Sequence, residues 1–263
     1  MARILIADGE DIDAATVTAE NEVATLPATN LQTMQPSETW RTSDATDTFI
    51  VADLGAALAV DIVALLKTNL TAAATWRVRG ATSEANLTAA PGYDSTAVGF
   101  WPESGLAGQA VSGFLYLDPA QSFRWWRIDL SDAANPDGYL EAGRLYIDAA
   151  WRPARNLSFN WQLGWIDDGE PRHARGGQIH PEVVPRRRRL RFSLDYLTEA
   201  EAATAYDLDR RRGRSADVLV LRDPAHATQL HRQSVYGLMT VLEPAVNTRF
   251  NVYSHRYDVE ELT

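Results

Sequence analysis

Between Asn30 and Arg79 the chain runs NLQTMQPSETWRTSDATDTFIVADLGAALAVDIVALLKTNLTAAATWRVR, a series of short apolar runs divided by turn signals. FIVADL ends at Gly55, Val60–Leu66 is rich in β-branched and aliphatic residues, and Thr75–Gly80 alternates Trp76 and Val78 with Arg77 and Arg79. Alternation at period two places successive side chains on opposite faces of a strand, and no stretch here keeps the 3.6-residue period of a helix. Closely spaced strands joined by turns fold as a sandwich or barrel. The same signal returns in Phe114–Leu117, in Ser122–Leu130 (SFRWWRIDL) and in Tyr139–Ala149 (YLEAGRLYIDA). Ala2–Ala7 reads as a further short strand. Trp125 and Trp126 are adjacent, so one faces the core and the other faces out.

Composition separates two parts. Of the 263 residues, those up to about 150 carry few cations, and most of the acids lie there. The remainder holds all five histidines and the arginine runs Arg186–Arg189 and Arg210–Arg212. The boundary falls at Trp151–Pro153, giving residues 1–152 and 153–263. Beyond it, Asn156–Trp165 alternates Leu157, Phe159, Trp161 and Leu163 with polar residues. Residues 167–185 form a long polar loop, and 186–197 a strand with Leu190, Phe192, Leu194 and Tyr196 on one face. Thr198 and Glu201 make a capping box at the head of a helix over about 198–212, with Ala202, Ala205, Tyr206 and Leu208 as its apolar stripe and Gly213 as its stop. Strands at 217–222, 234–242 and 248–260 complete a β-rich unit.

Several function classes find no support. Cysteine is absent, which removes disulfides and thiolate metal sites. No apolar run reaches membrane-spanning length, and the first residues lack the apolar core of a secretory signal, so synthesis in a cytoplasm is expected. A net charge of −10 disfavours nucleic acid. No glycine-rich phosphate loop, serine elbow or histidine pair at zinc spacing occurs, and Asp167, Asp168, Glu170 and His173 read as a solvated loop, so no enzyme is expected. Asp8, Glu10, Asp11 and Asp13 alternate like the start of a calcium loop, but the glycine and glutamate that an EF-hand needs are missing. No cofactor is expected, with a structural calcium in the N-terminal domain as the open alternative.

The order of Asn30–Leu31, Thr39–Trp40–Arg41, Asp53–Leu54–Gly55 and Asn69, closed by Arg124–Ile128 and Leu140–Ile147, resembles a galactose-binding-like jelly-roll, the sandwich of discoidin domains and many carbohydrate-binding modules. The second part, with YLTEAEA entering a helix, a strand ending Arg222–Asp223–Pro224, then YGLMT and a long last strand, resembles the C-terminal part of small tail proteins of long-tailed bacteriophages and prophages. Together these imply a mainly β protein: a jelly-roll β-sandwich followed by a smaller, tail-tube-like or distal-tail-like β-sandwich with one packed helix. The resemblance implies a structural component of a phage tail tip or baseplate, made in the host cytoplasm and carried in the virion. Its partners would be other tail proteins and copies of itself, in a ring or trimer around the tail axis, and its outer domain would attach fibres or touch a host-surface glycan. The alternative is a free lectin-like protein.

Sugar recognition needs aromatic faces beside polar groups that fix hydroxyls. Tyr93, Trp101 and Glu103, in a segment rich in Gly, Pro, Ser and Ala over 83–109, are the candidate carbohydrate site; Trp40 and Arg41 are a second set, with Trp40 expected in the core. Arg186, Arg187, Arg188 and Arg189, with Arg210, Arg211 and Arg212, are candidates for subunit contacts to the acidic first half of a neighbour.

Overall fold

The computed structural model describes residues 3–226 and 228–263. Ala2, the first residue of the expected opening strand, lies outside them. The contacts divide the chain into two units: one runs up to Arg152 and also takes in Val218–Ser234, and the other comprises Pro153–Asp217 and Val235–Thr263. The return of seventeen residues to the first unit has no signature in composition.

The first unit contains β1 (Leu5–Ala7), β2 (Thr16–Ala19), β3 (Trp40–Arg41), β4 (Thr48–Thr68), β5 (Thr75–Ala81), β6 (Tyr93–Asp94), β7 (Val98–Gly99), β8 (Val111–Ser131), β9 (Glu141–Ala142) and β10 (Arg144–Asp148). Short helices α1 (Glu10–Asp13) and α2 (Asn86–Ala89) lie between strands. The main sheet has the order β10-β4-β8-β5-β6, with β2 on β4 and β7 on β5, while β3 pairs with β9. The expected strands 49–54 and 60–66 are one strand, β4, and 114–117 and 122–130 are likewise one strand, β8. The two long strands pair along their length, with register shifts between Asp53 and Leu58 and between Val60 and Ile62. Gly55 sits at φ 76°, a left-handed conformation that costs glycine little, so the ladder bends there without ending.

Trp40, Trp126, Leu31, Ile50, Val63 and Leu145 are at most 1% exposed and belong to one continuous core. Phe100 also joins it, edge-on to Trp76 with ring centroids 5.3 Å apart. Gly113 makes this possible, because a Cβ at that position would strike the Phe100 ring. The small residues around 83–113 thus serve partly as seats for aromatic rings.

The acidic turn is folded into this unit. Asp13 pairs with the buried Arg144 at 2.6 Å, and Asp148 Oδ2 accepts the Gly9 amide at 2.6 Å. Burial, reinforced by the Asp8 charge, holds the Asp148 carboxyl well above the usual carboxylate range. Among the described residues no group of three or more His, Asp or Glu is disposed to hold a metal ion.

The second unit begins with β11 (Gln162–Ile166), the hairpin of β12 (Arg172–His173) and β13 (Ile179–His180), and β14 (Arg187–Leu197). Helix α3 (Glu199–Arg212) follows, and Thr198 and Glu201 complete the capping box. The chain then supplies β15 (Asp217–Leu221), whose Leu219–Leu221 pair with β1 of the first unit, before returning as β16 (Ser234–Met239), β17 (Val246–Arg249) and β18 (Val252–Glu261). Strands β16, β18, β14 and β11 lie side by side, with β17 on β18. Helix α3 packs on β18 and β14, burying Ala202, Ala205 and Leu208, and His255 Nε2 meets Asp209 Oδ2 at 2.9 Å. Among the described residues no helix is long and apolar enough to cross a membrane.

Three aromatic placements differ from expectation. Tyr196 is 60% exposed because the β14–β18 register shifts between Leu194 and Leu197, which turns Leu197 inward instead. Tyr206 is 68% exposed at the edge of the helical stripe. Phe159 is 95% exposed because it precedes a turn at Asn160, with φ 71°, rather than sitting in a strand.

Candidate ligand-binding face

In the first unit, alternation along three neighbouring strands sorts side chains cleanly. Ile50 and Ala52 on β4, Trp126, Ile128 and Leu130 on β8, and Trp76 and Val78 on β5 point into the core. Phe49 and Val51, Trp125, Arg127 and Asp129, and Arg77 and Arg79 therefore share the opposite face. Of the two adjacent tryptophans, Trp126 is buried and Trp125 packs on the outer face against Val51, Ala81 and Leu87.

The register aligns these outward residues in rows: Phe49 with Asp129 and Arg77, then Val51 with Arg127, Arg79 and Asp94. Ion pairs run diagonally between rows. Arg79 forks onto Asp129, with Nη2 2.7 Å from Oδ1 and Nε 3.0 Å from Oδ2, and also donates to the Leu87 carbonyl at 3.0 Å. Arg127 Nε reaches Asp129 at 2.8 Å, and its guanidinium lies 3.6 Å from the Phe49 ring centre. Arg77 forks onto Asp94, through Nε to Oδ1 at 2.8 Å and through Nη2 to Oδ2. The Arg77 fork, helped by the Thr96 amide, holds the Asp94 carboxyl down at about 2. Planar guanidinium groups held by carboxylates are preorganised.

These groups line a cleft of about 330 Å³, with Glu20 and Asp47 at its rim. Arg77 keeps 41% of its side chain exposed. The Glu20 and Asp47 carboxylates are exposed and have no hydrogen-bond partner among the described residues. The cleft thus presents preorganised donors and free acceptors on one surface, an arrangement suited to a ligand dense in hydroxyls. Its sequence signal was present in the outward Arg77 and Arg79 and in Arg-Trp-Trp-Arg; what could not be read was that the register brings these runs side by side.

The residues singled out from sequence lie elsewhere. Tyr93 is half-buried, its ring centre 6.2 Å from that of Trp126, and burial, with the Asp94 charge beside it, pushes its phenol up. Trp101 packs against the core and donates its indole N–H to the Leu70 carbonyl at 2.8 Å. The Glu103 side chain is 1% exposed and faces Arg232 at 3.2 Å. The Trp101 N–H is thus committed and the Glu103 carboxylate buried within the unit, while Tyr93 stays half-buried. Trp40 is fully buried, and Arg41 forks onto Glu141 above the Tyr139 ring.

The arginine runs make ion pairs within the chain. Arg186 pairs with Asp167, Arg187 with Asp168 and Glu260, Arg188 with Glu261, and Arg189 with Asp258, all inside the second unit. Arg210 pairs with Asp207, and Arg212 reaches Asp217 at 3.6 Å. Arg211 likewise has an interaction. Asp258, Glu260 and Glu261 come from β18, the strand paired with the run on β14.

No family model and no curated protein matches the chain. Solved structures with similarity include the family 32 carbohydrate-binding module of NanJ from C. perfringens in complex with galactose, at 18% identity and TM-score 0.40, covering 54% of this chain and 98% of that one. The lectin domain of lectinolysin complexed with Lewis B antigen has 16% identity and TM-score 0.39, covering 56% and 99%. The carbohydrate-binding module of AlyQ in complex with 4,5-unsaturated mannuronic acid has 19% identity and TM-score 0.37, covering 50% and 92%. None of these three is a phage tail protein. With scores below 0.5, the assignment of a mainly β, jelly-roll type first unit rests on the strand order and register above.

Proposed function

We propose that this is a non-catalytic glycan-binding protein whose first unit holds a hydroxyl-rich ligand on its outer sheet face. The observation that carries this is the cleft itself: Arg77 and Arg127 are oriented by Asp94 and Asp129, beside the free carboxylates of Glu20 and Asp47. Guanidinium N–H groups donate to sugar oxygens and carboxylates accept from sugar hydroxyls, while the ion pairs reduce the entropy lost on binding. The test is a printed glycan array probed with the full chain at physiological salt. Selective signal on a defined set of glycans is expected; an array with no signal above background at high protein concentration would refute it.

A second reading is favoured by a separate observation. Phe159, Trp165, Ile179, Val183, Tyr206 and Phe250 are all more than half exposed, and all belong to the second unit. Exposed apolar side chains gathered in one unit offer contact area to a partner. In this reading the second unit assembles with other copies or with tail proteins, and the chain is a tail-tip or baseplate component in a virion, its jelly-roll presented to host-surface glycans. Mass spectrometry of density-purified particles from an induced source culture tests it. Co-migration with capsid protein is expected, and absence from intact particles would leave the free lectin.

A further inference from the structure

A groove within the second unit, about 590 Å³, crosses the outer face of β14 and β18 and takes no part in the cleft above. Its floor is charged but internally balanced. Arg191 Nε meets Asp258 Oδ2 at 2.9 Å, and Asp258 also accepts from Arg189 at 2.7 Å. Asp195 accepts from the Ser254 hydroxyl at 2.8 Å and the Ser193 hydroxyl at 3.3 Å. Arg256 lies 3.9 Å from Glu243, which also lines the groove. Little unpaired charge is left to select an ionic ligand.

The lining also carries neutral polar groups. Asn160 and Gln162 line the groove, and their carboxamides have no hydrogen-bond partner among the described residues. Phe159 lies beside them, 95% exposed, held at the lip by the left-handed turn at Asn160. A carboxamide both donates and accepts, which matches a hydroxyl, and an open aromatic face matches the C–H face of a sugar ring. A volume near 590 Å³ is in the range of ligand sites and admits more than one ring.

We infer that this groove is a second, independent site for a neutral oligosaccharide, with Phe159 as the stacking platform and Asn160 and Gln162 reading hydroxyls. The site does not depend on the first unit's cleft, and the two together would make the chain bivalent for glycan.

The test is saturation-transfer NMR on the full chain with maltotriose, triacetylchitotriose and β-1,4-galactotriose as probes. The wild type is compared with Phe159→Ala, Gln162→Ala and, for the first unit, Arg77→Ala. At least one probe should transfer saturation to wild type and to Arg77→Ala, and lose at least five-fold of its signal in Phe159→Ala and in Gln162→Ala. Signal lost only in Arg77→Ala would place all sugar binding in the first unit and overturn the second site while sparing the first. No transfer from any probe to wild type would overturn it as well. So would a change in sedimentation coefficient in Phe159→Ala, which would make this ring a contact between copies. Because Phe159 is exposed, the variant should keep the wild-type circular dichroism spectrum and melting temperature.

Discussion

Both units carry an arginine–carboxylate lattice on the outer face of a sheet, yet they treat their aromatic residues in opposite ways. The first unit draws Trp40, Trp76, Phe100 and Trp126 into one core and leaves Val98 as its sole large apolar residue more than a third exposed among those described. The second leaves Phe159, Trp165, Tyr196, Tyr206 and Phe250 in solvent. Apolar exposure of scattered residues is ordinary, but its concentration in the smaller unit is informative. The first unit is a finished sandwich that can devote its surface to holding rigid polar groups. The second has a thin core of one sheet and one helix, and much of its apolar area remains free for contacts.

This contrast can be tested by substitution. Trp126→Ala empties the centre of the first core and should cost about 3–5 kcal/mol, read as early loss of one unfolding transition by calorimetry. A single transition moving intact would show that the units do not melt separately. In the second unit the arginine run should split by burial. Arg188 is 12% exposed against a Glu261 that is 4% exposed, so Arg188→Ala strands a buried carboxylate and should cost about 3 kcal/mol. Arg186, 68% exposed, pairs with Asp167 at the surface, and Arg186→Ala should leave the urea midpoint at the wild-type value. Equal losses at the two positions would mean that the lattice acts as one network.

A finer probe is Asp148. A carboxyl whose folded value lies above its unfolded value binds its proton more tightly when folded. Its stabilising contribution is therefore full below the unfolded value of 3.8 and is lost as pH rises through the folded value. Asp148→Asn keeps an acceptor for the Gly9 amide and removes this loss. The variant should gain roughly 1 kcal/mol at pH 7 and little at pH 3. A variant less stable at neutral pH would show that the ionised carboxylate is needed there.

Much of this architecture was legible from local pattern. The alternation of TWRVRG, the paired tryptophans and the Thr198–Glu201 capping box each encode their own geometry within a few residues. What escaped depends on distant partners. The return of Val218–Ser234 to the first unit, the bulge that turns Tyr196 outward, the packing of Trp101 on the core and the burial of Glu103 are set by neighbours far along the chain. The same holds for the cleft, where Phe49, Arg77 and Asp129 come from three strands separated by dozens of residues. A glycine-rich, aromatic loop looked like a binding loop because local composition cannot distinguish an open loop from one whose glycines make room for rings.

The most direct measurement is titration calorimetry of the best array glycan into wild type, Arg77→Ala and Trp101→Ala, with thermal melts to confirm folding. A cleft site requires that Arg77→Ala weaken binding at least ten-fold while a folded Trp101→Ala retains it. Undiminished affinity in Arg77→Ala, with loss in Trp101→Ala, would move the sugar to the 93–103 segment and contradict the assignment of the outer sheet face.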